Sequence, residues 1–239
     1  MFDIQGTPLE QDQISHLLDN LKKTKTGQEI VSQVNSLVGD SQFILKFDKT
    51  LPYRGLCEFK KITLNPDRQT TPNDQISTLG HELAHAALGD VQKSTQHHAS
   101  DLDEYALIRL LIEAHGHMMG DLILQELNPQ QLQSAKTATA PWWQTIDLTT
   151  KKGRTLYLRK ALHLQTGWAE EEVKNLPTDM KFAHDANPTT FAAGCNTFLK
   201  AMDTDVTLDE ILALKPYSNR AQNSTSLNIW QKLTKLFGR

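Results

Sequence analysis

The sequence lacks the simple signals for a membrane or a nucleic-acid partner. No stretch approaches the roughly 18 consecutive apolar residues that span a bilayer, and the opening MFDIQGTPLEQDQ has no basic segment followed by an apolar one. Acidic residues (28) outnumber basic ones (25), and no block of lysine and arginine occurs. We therefore expect neither partner, and a cytoplasmic location that is also compatible with secretion or delivery into a host cell without a cleaved signal peptide.

The sequence also contains little cysteine. Only Cys57 and Cys195 occur among the 239 residues. A chain of this length needs no disulfide for its stability, and a reducing compartment disfavours one. The sequence therefore predicts two thiols that are not joined to each other and that do not act as nucleophiles.

The spacing of apolar residues predicts an α+β fold that is predominantly helical. Residues 8–23 and 26–39 have helical spacing, and the β-rich runs QFILKF and CEFKKITLN indicate a β-hairpin or two neighbouring strands. Helical patterns dominate the remainder. We predict N-terminal helices packed on the core (1–39), a core with a short sheet and two long helices (40–136), and a helical C-terminal portion (141–239).

The most informative stretch is STLGHELAHAALGD, residues 77–90. Thr71 followed by Pro72 is typical of the start of a helix, and Gly89 is a suitable residue to follow its end. The stretch is therefore predicted to lie on one well-delimited helix. The polar segment DVQKSTQHHASD that follows is predicted to be a loop.

On this helix the two histidines of HELAH share a face. His85 lies about 40° around the axis from His81, so both imidazoles point into the same volume, while Leu79 and Leu83 lie on the opposite side. Glu82 lies about 100° from His81, where its carboxylate can reach water on a shared metal ion. This is the general-base position of HExxH enzymes.

The rival interpretation is a structural pair of histidines. Nine histidines in 239 positions produce an HExxH string by chance in roughly one or two such sequences in a hundred. The position of the motif on a capped helix, after two β-rich runs and with apolar residues on the opposite face, favours a metal site.

A tetrahedral catalytic zinc site takes three protein ligands, so a third side chain has to come from elsewhere. The candidates are Asp90, His97, His98, Glu104, Glu113, His115 and His117. Asp90 would need a sharp turn after Gly89, and His97 and His98 belong to the predicted loop. The helix predicted over 103–127 therefore carries the better candidates.

Glu104 and Glu113 are nine residues apart, so they lie on opposite sides of this helix and cannot both face the metal. Glu104 shares its side with His115, and Glu113 shares its side with His117. Small residues such as Gly116 would let another helix approach near Glu113. A carboxylate within LLIEAHGHMM is costly without a partner such as a metal, the alternative being a pair with a surface cation. These arguments favour Glu113.

The segments STLGHELAHA and EYALIRLLIEAHGHMMGD together resemble the minigluzincin-type zincins, in which an HExxH helix is followed by a Glu-bearing helix. This group includes metallopeptidase domains of antirestriction proteins and phage-linked regulators, and the chain is also similar to a bacterial metallopeptidase domain of unknown function. The resemblance covers residues 40–130, a little over a third of the chain. It implies a zincin-like core in which His81, His85 and Glu113 bind Zn²⁺ and Glu82 is the catalytic base, with no other cofactor.

The second segment departs from the family pattern after its glutamate. Polar or small residues are usual there, whereas this sequence has His115 and His117. His117 is therefore a rival or an additional metal ligand.

These features predict a zinc-dependent metallopeptidase that hydrolyses a peptide bond in a specific protein substrate. The strand FKKITLN, just upstream of the HELAH helix, is expected to be the sheet edge that accepts the substrate as an extra strand. A donor that stabilises the oxyanion is also expected, and the candidates from the C-terminal portion are Tyr157, His163, His184 and Tyr217.

A second class of function is a non-proteolytic protein-binding module, an effector or antirestriction-type factor that contains a structural metal and acts through its C-terminal helices. The intact Glu82 argues against it, because a structural site needs no base. The acidic balance argues against binding to nucleic acid, although the aromatic pair in APWWQ would suit base stacking.

Overall fold

The computed structural model describes residues 2–38, 42–69, 71–130, 142–174 and 186–214. These ranges contain eight α-helices, two short 3₁₀ turns and one four-stranded mixed sheet, which confirms the predicted α+β class and its helical predominance. Within them, no helix combines the length and the apolarity needed to cross a membrane.

The chain forms two compact units. Unit 1 comprises Met1–Gly89 and His115–Tyr157, and unit 2 comprises Asp90–Ala114 and Leu158–Arg239. These boundaries differ from the three parts expected from the sequence, and that three-part division stays a prediction. Residues 142–157 in particular group with the N-terminal segments.

Unit 1 contains the sheet. Its strands are β1 (Phe2–Gln5), β2 (Phe43–Phe47), β3 (Gly55–Glu58) and β4 (Lys61–Leu64). They lie in the order β1-β2-β4-β3, with β1, β2 and β4 parallel and β3 antiparallel to β4. Two helices, α1 (Pro8–Leu21) and α2 (Lys25–Val38), connect β1 to β2 and allow these strands to run in the same direction.

The two N-terminal helices confirm the sequence prediction. α1 begins at a capping box, in which the Glu10 carboxylate accepts a hydrogen bond from the Thr7 amide at 2.8 Å and the Thr7 hydroxyl accepts one from the Glu10 amide. Its buried residues are Ile14, Leu17, Leu18 and Leu21. They form one apolar stripe, which is why the helix was visible in the sequence.

The strand pairing was only partly predicted. β2 and β4 are neighbours, but they are parallel, so QFILKF and CEFKKITLN do not form a hairpin with each other. The hairpin lies within CEFKKITLN, where Phe59 and Lys60 turn the chain from β3 into β4, with Lys60 at a φ of 55°. As a result β3 is an edge strand, and the expectation that FKKITLN forms the edge is wrong because β4 is paired on both sides.

The HELAH motif lies on α3 (Pro72–Ala87), as predicted. Its N-terminus is a capping box between Thr71 and Asp74. Ile76, Leu79 and Leu83 are buried, and α3 packs against α1, α2, β3 and β4. The apolar face inferred from the sequence is therefore the face that anchors the helix.

The predicted loop after α3 is wrong. A second helix, α4 (Gly89–His97), begins directly after Leu88, the C-cap of α3, so Gly89 follows the end of α3 as expected and also starts the next helix. Only Thr95 in this helix is buried. The apolar periodicity that reveals a helix is consequently absent from its sequence.

The long second helix is confirmed as α5 (Leu102–Leu127), and the boundary between the two units falls within it. The later helices are α6 (Lys151–Lys174), α7 (Pro188–Ala201) and α8 (Leu208–Leu212). Sequence-based expectations for residues 131–141 and 215–239 lie outside the described residues. Cys57 and Cys195 are not joined in a disulfide, as expected.

Candidate metal centre

The two histidines of α3 face the same volume, as their spacing predicted. The Nε2 atoms of His81 and His85 are 2.8 Å apart, and their ring centroids are 4.5 Å apart. Two ligand atoms on one tetrahedral zinc ion lie about 3.4 Å apart, given Zn–N bonds of about 2.1 Å. A small rotation of either ring would therefore let both nitrogens share an ion.

Glu82 lies beside these nitrogens. One donor atom from each of His81, Glu82 and His85 falls within 4.8 Å of the others, and Glu82 is only 6% exposed. The edge strand β3 passes against it: a Cβ added to Gly55 would lie 2.6 Å from Glu82 Oε1 and 2.8 Å from Thr78 Cγ2. The glycine is thus required for the carboxylate to lie against the strand backbone.

Two glycines let α5 approach the histidine-bearing face of α3. A Cβ added to Gly116 would lie 2.9 Å from His81 Cε1 and 3.1 Å from His85 Cε1. One turn later, a Cβ on Gly120 would lie 2.6 Å from the carbonyl oxygen of Ser77. The sequence analysis identified Gly116 as a residue that would let another helix approach, but it did not identify Gly120.

Both candidates for the third ligand lie near His81. Donor atoms of His81, Glu113 and His117 fall within 4.8 Å of one another, and the His81 and His117 ring centroids are 4.5 Å apart. Glu113 is partly buried, whereas His117 is exposed. The two groups of donor atoms share only His81, and His85 and Glu113 do not fall in one group. The full set of His81, His85 and Glu113 therefore stays a prediction, and the geometry makes no choice between Glu113 and His117.

One argument that favoured Glu113 is weakened. Its Oε1 lies 4.0 Å from Arg109 Nη2, one turn earlier on the same helix, and both side chains are about one-fifth exposed. The carboxylate therefore has a cationic neighbour besides any metal. Its position among apolar residues is no longer evidence for a metal, and the case for Glu113 depends on its distance from His81.

Four of the remaining candidates lie outside these groups of donor atoms. Glu104 accepts hydrogen bonds from the Ser100 amide and hydroxyl at 2.6 and 2.7 Å. His97 and His98 form an edge contact with each other, and Asp90 is exposed in the first turn of α4. Among the described residues, none of these four joins a group of metal-donor atoms.

His115 is a buried neighbour of the two α3 histidines. It is only 4% exposed, and its burial, followed by the proximity of His85 and His81, lowers its pKa to about 3. The imidazole is therefore neutral at physiological pH. The helical-wheel argument that grouped His115 with Glu104 gave no indication of this proximity, because α5 is apolar around most of its circumference.

The structure also reveals a pair that the sequence did not assign to the site. Tyr157 is buried, and its hydroxyl donates a hydrogen bond of 3.1 Å to Asp121 Oδ2. Burial raises the pKa of Asp121 to about 6, against the opposing effects of the Tyr157 hydrogen bond and of His81. The four-residue spacing between His117 and Asp121 could have identified this carboxylate, but no local signal identifies Tyr157.

Tyr157 was a candidate oxyanion donor, and this role does not fit a buried hydroxyl that already donates to a carboxylate. The other three candidates are not tested, since the side chain of His163 and residues His184 and Tyr217 lie outside what the structure describes. Trp142, from the APWWQ segment, is partly buried and packs on Tyr157 with ring centroids 5.3 Å apart. This contact points to a packing role for that tryptophan.

The chain matches no family model, and no curated protein or solved structure matches it either. The resemblance to minigluzincin-type zincins thus depends on the two sequence segments and stays a prediction.

Proposed function

We propose that this protein is a zinc-dependent metallopeptidase. The observation that carries the proposal is the convergence of donor atoms from His81, Glu82 and His85 within 4.8 Å. Donor atoms of Glu113 and His117 also lie within 4.8 Å of His81, and either could be the third ligand of the metal. A set of imidazoles and one carboxylate is the donor chemistry that zinc uses in catalytic sites. The residues present therefore fit the metal.

In this proposal His81, His85 and Glu113 hold the ion, with His117 as the alternative third ligand. When bound, Zn²⁺ supplies Lewis-acid chemistry, which polarises a carbonyl and makes water more acidic. Glu82 accepts a proton from the attacking water and then delivers it to the leaving amine. The burial of Glu82 beside β3 restricts its carboxylate to the side of the site where a peptide would lie.

The edge strand supports a peptide as the substrate. β3 is last in the sheet order, and within the described residues no further strand covers its outer side. The Asn65 backbone N–H donates to the Arg54 carbonyl at 2.9 Å, so these two residues form a hydrogen-bonded pair. Hydrogen-bonded and non-hydrogen-bonded pairs alternate along an antiparallel pair of strands, so the N–H and C=O of the next residue, Gly55, point away from β4. A peptide added along β3 could bond to Gly55, next to the Glu82 carboxylate.

The test measures metal content and cleavage separately. Zinc is quantified by mass spectrometry in the purified wild type and in the variants His81→Ala, Glu82→Gln and His98→Ala, the last being a matched histidine outside the site. We expect about one zinc per chain in all but His81→Ala. Equal zinc in the wild type and His81→Ala would contradict the metal site.

Cleavage is then followed on a peptide library derived from a whole proteome, with the cut products identified by mass spectrometry. Glu82→Gln should retain its zinc and lose about 10²- to 10⁴-fold in rate, the usual contribution of a general base. Undiminished cleavage by Glu82→Gln would exclude this mechanism. Zinc binding without any cleavage by the wild type would favour the non-proteolytic class.

A further inference from the structure

Two buried amide side chains lie on the connection between β4 and α3. Asn65 is only 2% exposed and Gln69 only 6%. Both bind the segment that leads into β3. Asn65 Nδ2 donates to the carbonyls of Lys49 and Leu51 at 3.0 and 2.7 Å. Gln69 Nε2 donates to the Arg54 carbonyl at 2.7 Å. The chemistry proposed above uses neither side chain.

The Arg54 carbonyl is the point at which Gln69 holds the edge strand. This carbonyl also accepts a hydrogen bond from the Asn65 backbone N–H at 2.9 Å. The next residue is Gly55, where β3 begins and where an added Cβ would lie 2.6 Å from Glu82 Oε1. Gln69 itself stands two residues before the N-cap of α3. One side chain therefore joins the start of α3 to the start of the strand that lies against the Glu82 carboxylate.

The hydrogen-bonding capacity of the Gln69 amide is only partly used. Its buried Oε1 has no hydrogen-bond partner among the residues that the structure describes. A buried oxygen without a partner costs stability, and a methionine of similar length would fill the same space without that cost. The Arg54 carbonyl would still accept from the Asn65 backbone. Stability alone therefore does not account for a glutamine here, and a role in placing β3 does.

We propose that Gln69 is a positioning residue for the peptidase reaction. Its bond to the Arg54 carbonyl sets the distance between Gly55 and the Glu82 carboxylate, and hence the distance between that base and a peptide paired with β3. This inference rests on the proposed function. Because Gln69 acts on the strand and not on the metal ligands, it should affect cleavage and leave zinc binding unchanged.

The test uses Gln69→Met, which keeps the length of the side chain and removes the hydrogen-bond donor. Cleavage is measured on a peptide that the wild type cuts, taken from the library experiment above. We expect kcat to fall about 10- to 100-fold, because a displacement of about 1 Å at a reacting group can have an effect of this size. KM should change little, since the peptide can still pair with β3.

Two further measurements separate this role from a purely structural one. We expect the zinc content of Gln69→Met to equal that of the wild type. Its midpoint of urea unfolding should equal or exceed the wild-type midpoint, because an oxygen without a partner is removed. Gln28→Met is the matched control, since the Gln28 amide also donates to a backbone carbonyl, that of Lys22 at 2.8 Å, on the exposed surface. It should leave kcat unchanged.

Wild-type kcat in Gln69→Met would overturn the positioning role. A fall in zinc content or in the urea midpoint that accompanies the lost activity would overturn it as well. If Gln69→Met does not fold, Gln69→Asn decides, because it keeps the amide on a side chain that is one methylene shorter and should lose kcat to a similar extent. Wild-type kcat in Gln69→Asn would then refute the proposal.

The two proposals fail in different ways. If the wild type cuts no peptide, the proposed function fails, and amide hydrogen exchange still tests whether Gln69 fixes the start of β3. Leu56 is opposite Thr63 and by alternation forms a hydrogen-bonded pair with it, so its amide should exchange faster in Gln69→Met. Unchanged exchange would overturn the role of Gln69. If the wild type and Gln69→Met cut peptides equally fast, only the positioning role is removed.

Discussion

The first turn of α5 and its middle turns carry similar ionisable residues with different partners. In the first turn, Glu104 accepts from Ser100, and its own amide donates to Asp101 Oδ1 at 2.8 Å. These partners lie within four residues, and together they cap the helix. The hydrogen bonds of Glu104 are thus explained by its neighbours in the sequence.

In the middle turns the partners come from far along the chain. His117 contacts His81, which precedes it by 36 positions, and Asp121 accepts from Tyr157, which follows it by the same number. Gly116 provides the space for this convergence. The comparison teaches that the chemical role of a residue on α5 depends on whether its partner is local or distant.

The largest expected effect separates the two glutamates. Glu113→Ala should weaken zinc binding by more than about 100-fold, because a metal ligand is removed. This loss exceeds the roughly 10- to 100-fold typical of a residue that only supports a ligand by a hydrogen bond. Glu104→Ala should leave the affinity unchanged, since its carboxylate bonds to Ser100. Chelator competition on the two variants measures the difference.

His117→Ala sharpens the same comparison. If His117 supports the site without binding the ion, this variant should lose about 10- to 100-fold in zinc affinity. A complete loss in His117→Ala together with little loss in Glu113→Ala would reverse the assignment. The site would then consist of three histidines with the same base.

The next effect tests the close approach of α5. Gly116→Ala would place a methyl group 2.9 Å from His81 Cε1, so the rings must shift, and we expect zinc affinity to fall on the order of tenfold. Gly89→Ala is the matched control, because a Cβ there meets nothing within 4 Å. Equal affinities in the two variants would contradict the close approach.

His115 predicts a pH dependence of the metal-free protein. Its pKa falls from 6.5 to about 3 on folding, so between these values the unfolded chain binds a proton that the folded chain does not. Stability should therefore decrease as the pH falls through this window, by up to about 1.4 kcal/mol per pH unit. Urea unfolding at several pH values should show that His115→Leu reduces this slope, and an unchanged slope would refute the assignment.

The smallest effect concerns the local cap. Glu104→Ala should lower the free energy of unfolding by about 1 kcal/mol, the typical contribution of a helix cap. Urea unfolding at neutral pH measures this loss. A strong loss of zinc by the same variant would remove the distinction between the first turn and the middle turns of α5.

Some features of the site were evident from the sequence because they depend on residues close together along the chain. The Thr71 cap starts α3, and the four-residue spacing of His81 and His85 places both imidazoles on one face. The position of Glu82 beside them follows from the same geometry. These features need only the regular helix, whose hydrogen bonds and angles are local.

Other features were decided only by the tertiary structure. α5 is apolar around most of its circumference, so its sequence could not reveal that His115 lies close enough to the α3 histidines to feel their charge or that Asp121 accepts a hydrogen bond from Tyr157. The parallel pairing of β2 with β4, which makes β3 the edge strand next to Glu82, likewise depends on contacts between distant segments. Such contacts arise from packing, and no local pattern encodes them because the partners are separated by loops and helices whose lengths do not specify where they meet.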